Sequence, residues 1–286
     1  MTNGQQNLNL TERQKRWRAK YGPWAVVTGA SDGIGRAMAH DLAKAGLNLV
    51  LVARRRLVLE QLSTDLSTQY GIEIRIIDAD LSEETAVENV ISTTTDIEVG
   101  LLVACAGFGT AGRFIEMSIE RELNMLDLNC RAVLAMSHHF GHHFAKQGHG
   151  GLILMSSLLA FQGTPLSANY AATKAYIQTL AEGLHAELSP LGVDVIASAP
   201  GPIHSGFATR ADMQMSLALK PEQVSQGTLN ALGKQITVRP GWLSKFLELS
   251  LAALPRWGRV RAMGFVMKSM TDHQHNKQNV TPVESV

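Results

Sequence analysis

Tyr170 and Lys174 stand four residues apart in Ser-Ala-Asn-Tyr-Ala-Ala-Thr-Lys, and a helical reading of that stretch puts both side chains on one face. A phenol with an ordinary pKa of about 10 exchanges protons poorly at neutral pH, but a fixed ammonium beside it favours the phenolate and brings that value down. The pair therefore reads as a general acid/base. With four tyrosines in 286 residues, a lone Tyr-x3-Lys is still a weak motif. Ser157 strengthens it. That serine lies thirteen residues before Tyr170, at the end of the apolar run Leu152-Ile153-Leu154-Met155, which predicts a short buried strand whose end brings a hydroxyl to the phenol. Ser156 is a rival for the same role, and a capping or turn serine is the plainer alternative.

A second constellation lies near the start. Residues 24–27 (Trp-Ala-Val-Val) predict a buried strand, followed by Thr28-Gly29-Ala30-Ser31-Asp32-Gly33-Ile34-Gly35-Arg36 and a helical pattern through Ala45. Glycines at a strand-to-helix turn let the backbone approach a phosphate, whose charge is favoured by the free N–H groups of the helix start. The spacing is Gly-x3-Gly-x-Gly, so the general dinucleotide fingerprint fits only loosely. Further apolar runs at 47–53, 72–77, 100–104, 152–155 and 193–199 alternate with helical segments. That alternation predicts an α/β fold: a Rossmann-like, doubly wound parallel sheet with helices on both faces, built as a single domain. Ligands of such sheets bind beyond the strand carboxyl ends, where all these motifs fall.

Together the motifs resemble those of the short-chain dehydrogenase/reductase family, whose pattern is Thr-Gly-x3-Gly-x-Gly, Asn-Asn-Ala-Gly, a catalytic Asn, Ser, Tyr-x3-Lys and Pro-Gly. Nearly the whole chain matches. The resemblance implies that Tyr170 exchanges a proton with a substrate oxygen and that Ser157 hydrogen-bonds that oxygen. It further implies that Lys174 lowers the phenol pKa and holds the nicotinamide ribose, with Asn129 in Leu-Asp-Leu-Asn-Cys anchoring a water beside Lys174. An ordinary helix asparagine is the alternative at that position. On the same footing Gly29, Ser31, Asp32, Gly33, Ile34, Gly35, Asp80, Leu81, Ala106, Gly107, Pro200, Gly201, Ile203 and Ser205 line a cofactor. Two positions depart from the pattern. Ala104-Cys105 replaces the two asparagines, and Ser205 replaces the usual threonine after Pro-Gly, keeping a hydroxyl. Within the family the chain is most similar to very-long-chain 3-oxoacyl reductases and hydroxysteroid dehydrogenases, on Tyr21-Gly22-Pro23-Trp24, Ile97-Glu98-Val99-Gly100 and Leu254-Pro255-Arg256-Trp257. This branch implies a bulky apolar carbonyl or alcohol substrate.

Cofactor choice follows from Ala53-Arg54-Arg55-Arg56 after the second strand. An acidic residue there would suit the ribose 2′-hydroxyl of NAD, whereas guanidinium forks suit a 2′-phosphate. NADP is expected rather than NAD, with Arg54 as the main contact and Ser31 and Arg36 as helpers; a merely solvated charge run is the alternative. The rival function is an NADP-binding sensor or scaffold with little chemistry, for which the altered Ala104-Cys105 turn is the one argument.

Composition agrees with an enzyme. A 45% apolar chain can fill a large core, and 26 basic against 25 acidic residues give no field to recruit nucleic acid. Cys105 and Cys130 lie in apolar segments, which suits a reducing compartment, and the start lacks a secretory apolar core, so a soluble cytoplasmic protein is expected. A polar extension over 1–21, a domain over 22–270 with a lid and C-terminal helices over 204–270, and a flexible tail over 271–286 are expected. Phe207 to Leu219, with Met213, Met215 and Leu217, reads as a lid over an apolar pocket or as a packed helix. His138, His139, His142 and His143 pair at spacing four, but without a third ligand nearby they predict structural roles and no metal site. Segment 241–270 mixes apolar and basic residues, which permits a peripheral membrane contact, a subunit interface or a pocket wall. The family implies a homodimer or homotetramer.

Overall fold

A computed structural model describes residues 11–214 and 218–278; residues 1–10, Met215 and Leu217 of the expected lid, and 279–286 lie outside the described residues. Seven strands form one parallel sheet in the order β3-β2-β1-β4-β5-β6-β7. They are β1 (Trp24–Thr28), β2 (Asn48–Ala53), β3 (Ile74–Asp78), β4 (Val99–Ala104), β5 (Gly150–Met155), β6 (Val193–Ser198) and β7 (Thr237–Val238). The middle strands are unbroken apolar runs because both faces of a parallel sheet are covered. Their residues alternate between two cores, as the pleat requires. Ala25, Val27, Leu49, Leu51, Leu101 and Val103 pack with Met38, Leu42, Leu59 and Leu62. Val26, Val50, Val52, Leu102, Leu152 and Leu154 pack with Val133, Phe140, Phe144 and Ile177.

The helices are α1 (Glu12–Tyr21), α2 (Gly33–Lys44), α3 (Arg56–Tyr70), α4 (Glu84–Thr93), α5 (Ile119–Leu126), α6 (Ala132–Gln147), α7 (Ala168–Leu188), α8 (Gly206–Arg210), α9 (Pro221–Ala231), α10 (Trp242–Ala252) and α11 (Arg256–Gln278). Helices α2 and α3 cover one face, and α4, α6 and α7 the other. The winding reverses between β1 and β4, which are neighbours in space. A crevice therefore opens at their carboxyl ends.

Both ends of the described chain are more integrated than the sequence suggests. From Thr11 onward the expected polar extension is a capped helix: the Thr11 side chain accepts from Gln14 N, and the Gln14 side chain accepts from Thr11 N. The Trp17 and Tyr21 rings meet at 4.9 Å, and the buried Tyr21 hydroxyl donates to Asp194 at 2.5 Å. Lys20 pairs with the same carboxylate. At the other end α11 continues to Gln278 where a frayed tail was expected from Asp272. Thr271 is buried, and Gln274 Nε2 donates to the carbonyls of Ala111 at 3.2 Å and Asp212 at 2.8 Å.

Among the described residues no helix is long and apolar enough to cross a membrane. Helices α10 and α11 expose Trp242, Phe246, Leu249, Trp257 and Phe265. Among the same residues no group of three or more His, Cys, Asp or Glu is placed to hold a metal ion.

The docking of α1 predicts its own test. A Cβ on Gly100 would lie 2.6 Å from the Tyr21 carbonyl carbon, whereas one on Gly183 would meet nothing within 4 Å. Gly100→Ala should lose about 1–3 kcal/mol in urea denaturation, whereas Gly183→Ala, in an exposed helical position, should be neutral or gain up to about 1 kcal/mol.

Candidate active site

The crevice is shaped first by what is missing from its glycines. Gly29 has φ +68°, and a Cβ on Gly35 would lie 2.4 Å from the Gly29 carbonyl oxygen, so only hydrogen fits between β1 and α2. Asp32 caps α2, accepting from Gly33 N at 2.7 Å. Across the crevice the Thr28 hydroxyl accepts from Cys105 N and Ala106 N, both at 3.0 Å, and donates to Val103 O at 3.3 Å. The turn after β4 is thus held through its backbone, so Ala104 and Cys105 keep it without asparagine side chains. This bare backbone at a helix start fits the pyrophosphate of a dinucleotide.

Helix α7 brings in Tyr170 and Lys174, both buried. Lys174 Nζ donates to Met155 O at 2.8 Å and sits 5.7 Å from the Tyr170 ring centroid. Ser157 follows β5 as the cap of a 3-10 turn (Leu158–Phe161), accepting from Leu159 N at 3.2 Å, and shares the cavity wall with Tyr170. The rival Ser156 points elsewhere, donating to Lys174 O at 3.2 Å. Asn129 lies in a π-helical turn, Asp127–Arg131, at the head of α6. Its amide donates to Phe108 O at 2.9 Å and Thr173 Oγ1 at 3.1 Å and accepts from Phe108 N at 3.1 Å. A Cβ on Gly107 would lie 2.9 Å from Asn129 Oδ1 and 3.5 Å from Lys174 Nζ, which shows how closely the two approach that glycine.

Burial dominates the electrostatics. It pushes the Tyr170 phenol above its ordinary range, opposed only by the Ser157 hydrogen bond. The expected lowering by Lys174 is not seen here, because desolvation of a buried phenol is the larger effect and the ammonium points at Met155 O. Burial likewise brings Lys174 down to about 8. Cys105 itself is pushed up to about 12 by burial, so it stays a thiol.

These groups line one cavity of about 590 Å³. Gly29, Ser31, Asp32, Gly33, Ile34, Gly35, Arg54, Asp80, Leu81, Ala106, Gly107, Pro200, Gly201, Ile203 and Ser205 are all on its wall, with Ser157, Tyr170 and Lys174. Asn129 sits behind the wall, and Arg36 is exposed on α2 away from the cavity. Arg55 takes the place expected for Arg36, donating to Ser31 Oγ at 3.1 Å and Ser31 O at 3.0 Å. Arg54 donates to Asp80 at 3.2 Å. Burial opposes ionisation of Asp80, but hydrogen bonds from Ser82 and Arg54 outweigh it and hold the carboxyl below its usual range. Ser205 caps α8, accepting from Phe207 N at 3.3 Å. Residues 23–216 match the family model of the short chain dehydrogenases.

The chain belongs to this family. It is 33% identical, over 90% of its own length and 98% of the relative's, to a 7β-hydroxysteroid dehydrogenase of Clostridium sardiniense. It is 32% identical, over 78% and 74%, to a very-long-chain 3-oxoacyl-CoA reductase-like protein of Arabidopsis thaliana. A solved structure bearing on 7β-hydroxysteroid dehydrogenase stereoselectivity superposes with a TM-score of 0.80 at 29% identity, covering 86% of this chain and 98% of that one. Like the family, this short-chain dehydrogenase is an NAD(P)-dependent oxidoreductase acting on CH–OH and C=O groups.

Arg210 of α8, which no motif marks, also lines the cavity, and α11 supplies the pocket wall that was one alternative for segment 241–270. Met263, Met267 and Met270 of α11 line the cavity, at a 4-then-3 spacing that was there to be read. Phe207 of α8 packs on Tyr170, with ring centroids 5.3 Å apart.

The burial of Lys174 predicts a pH signature in the cofactor-free protein. Its folded pKa of about 8 lies below the ordinary 10.5, so between those values the unfolded chain holds a proton that the folded one has released. Stability due to this group therefore rises with pH through that window and is lowest below about pH 8. Relative to Lys174→Met, the wild type should gain about 2–4 kcal/mol in urea denaturation as pH is raised across the window, at about 1.4 kcal/mol per pKa unit.

Proposed function

We propose that this dehydrogenase interconverts a carbonyl and an alcohol on a bulky apolar substrate, using NADP(H), with Tyr170 as its acid/base. The observation that carries the reading is the meeting of Ser157, Tyr170 and Lys174 on the wall of a cavity that is cationic at one end and methionine-lined at the other. The glycine turn and the start of α2 would hold the pyrophosphate, Arg54 and Arg55 the ribose phosphate, and Lys174 the nicotinamide ribose. When bound, the cofactor supplies or accepts the hydride.

The residues do the rest. Tyr170 Oη gives its proton to the substrate oxygen in reduction and takes it back in oxidation. The raised phenol pKa keeps that proton in place at neutral pH, the form reduction requires. Ser157 Oγ, on the same cavity wall, would hydrogen-bond the same substrate oxygen. Asn129 fixes the Phe108 backbone against Thr173 and so holds the turn over Lys174. Leu159, Phe207 and Met213 with the α11 methionines exclude water around the reacting carbon. The similarity to a hydroxysteroid dehydrogenase and a 3-oxoacyl reductase relative supports two substrate shapes, a rigid polycycle and an acyl chain.

Following NADPH oxidation with 7-ketosteroids, 3-oxoacyl thioesters and bulky aryl ketones tests the reading. Turnover of at least one class is expected, whereas tight NADPH binding with none of them turned over would favour the sensor. Tyr170→Phe should bind NADPH as the wild type does and lose about 10²- to 10⁴-fold in kcat. Retained turnover in that variant would refute the acid/base assignment.

A further inference from the structure

The phosphate end of the cavity is completed from the substrate side. Helix α8 follows the Pro200-Gly201 turn, and its first amide, Gly206 N, donates to Asp32 Oδ2 at 3.1 Å across the cleft. Its last residue, Arg210, reaches back over the same gap: Arg210 Nη2 lies 4.0 Å from Asp32 Oδ2, and Arg55 Nη2 lies 3.9 Å from that oxygen. Arg54, Arg55 and Arg210 line one cavity. The guanidinium of Arg210 loses affinity for its proton through burial and the nearness of Arg54 and Arg55, with Asp32 opposing. Three cations face two carboxylates, Asp32 and Asp80, so the group carries surplus positive charge that a phosphate would neutralise.

The same short helix touches the chemistry. Phe207, three residues before Arg210, packs on the Tyr170 ring at an interplanar angle of 52°. Whatever fixes one end of α8 therefore fixes the wall beside the phenol.

We infer that Arg210 is a third ligand of the cofactor's ribose phosphate, and that binding of this phosphate sets α8, and with it Phe207, against Tyr170. The inference rests on the NADP reading above and deepens it. A ligand biases a conformation only through contacts that differ between states. NADH lacks the 2′-phosphate and cannot make that contact with Arg210, so on this inference the two cofactors differ in how well they build the substrate wall as well as in affinity.

Cofactor binding and amide hydrogen exchange, read without turnover, test this on the full chain. Wild type should bind NADPH more tightly than NADH, and NADPH alone should slow exchange over residues 206–211. Arg210→Met should lose roughly tenfold in NADPH affinity, the value of one charge-assisted contact, leave NADH within about twofold, and abolish the protection. Arg210→Lys should recover part of both effects and guards against a folding defect in the methionine variant. If Arg210→Met weakens both cofactors equally, weakens neither, or keeps NADPH-specific protection, the role of Arg210 falls while the NADP reading stands. If wild type binds both cofactors alike, the NADP reading falls and the inference with it.

Discussion

Lys174 is a cation drawn out of water, only 6% exposed, at the point where β5, α7 and the turn after β4 converge. A buried ammonium is costly unless its N–H groups find acceptors, and here the carbonyl of Met155 supplies one. The neighbouring turn of α7 is tied down accordingly: Ser156 bonds the Lys174 carbonyl, and Thr173 links the Tyr170 carbonyl to Asn129. Gly107 leaves the space above the ammonium open. Ser156, the first turns of α7 and Asn129 thus share one set of hydrogen bonds, and a shift in any of them would leave the charge less well met. Part of the cost remains, as the depressed affinity of Lys174 for its proton shows. A ligand that offers the ammonium further hydroxyl acceptors relieves it, so stability and binding are coupled at this residue.

The second constraint is steric and lies at the reversal of the sheet. Thr28 stands at the end of β1 and satisfies three backbone groups of β4 and its turn with one hydroxyl. That hydroxyl holds the turn through backbone groups, with an alanine and a thiol at 104 and 105. Burial keeps Cys105 protonated beside Lys174, so the substitution adds no charge to the site.

Much of this arrangement was legible because the physics was local. Strands β1, β2, β4, β5 and β6 are apolar runs covered on both faces, so the sequence marks them plainly, and the glycine turn carries its geometry in its spacing. Strand β7 has two residues at the edge of the sheet beside β6, too short for periodicity to register. Helix α1 reads as polar because its exposed face outweighs Trp17 and Tyr21, the two residues that dock it. The π-helical turn that aims Asn129 has no sequence signature, since it depends on the fit between α6 and α7. The phenol's environment was misjudged for a similar reason. Spacing shows that a lysine is near, but not that its ammonium turns to Met155 or that desolvation outweighs it. Arg210 was hidden by distance along the chain, since only the fold returns it to Arg54 and Arg55.

The cavity therefore has walls of two kinds. The dinucleotide half is built on strand ends and the start of α2, where backbone contacts leave little freedom: a Cβ at Gly35 would strike a carbonyl. The other half is built by α8, α10 and α11, and among the described residues α10 and α11 are tied to the loops around the cavity by polar links. Ser244 Oγ accepts from Gly201 N at 2.9 Å, and Gln274 ties α11 to the carbonyls of Ala111 and Asp212. Between those links the lining is Leu251, Met263, Val266, Met267 and Met270, side chains that adapt to shape and offer no directional bonds. A wall of this kind suits apolar bulk, and in the proposed reaction the orientation of a substrate would come from Ser157 and Tyr170, which line the same cavity. In the proposed reaction the chemistry would thus sit on the rigid half and the substrate range on the adaptable one. Helix α8 belongs to both, since it touches Asp32 at its start and packs Phe207 on Tyr170 one residue later.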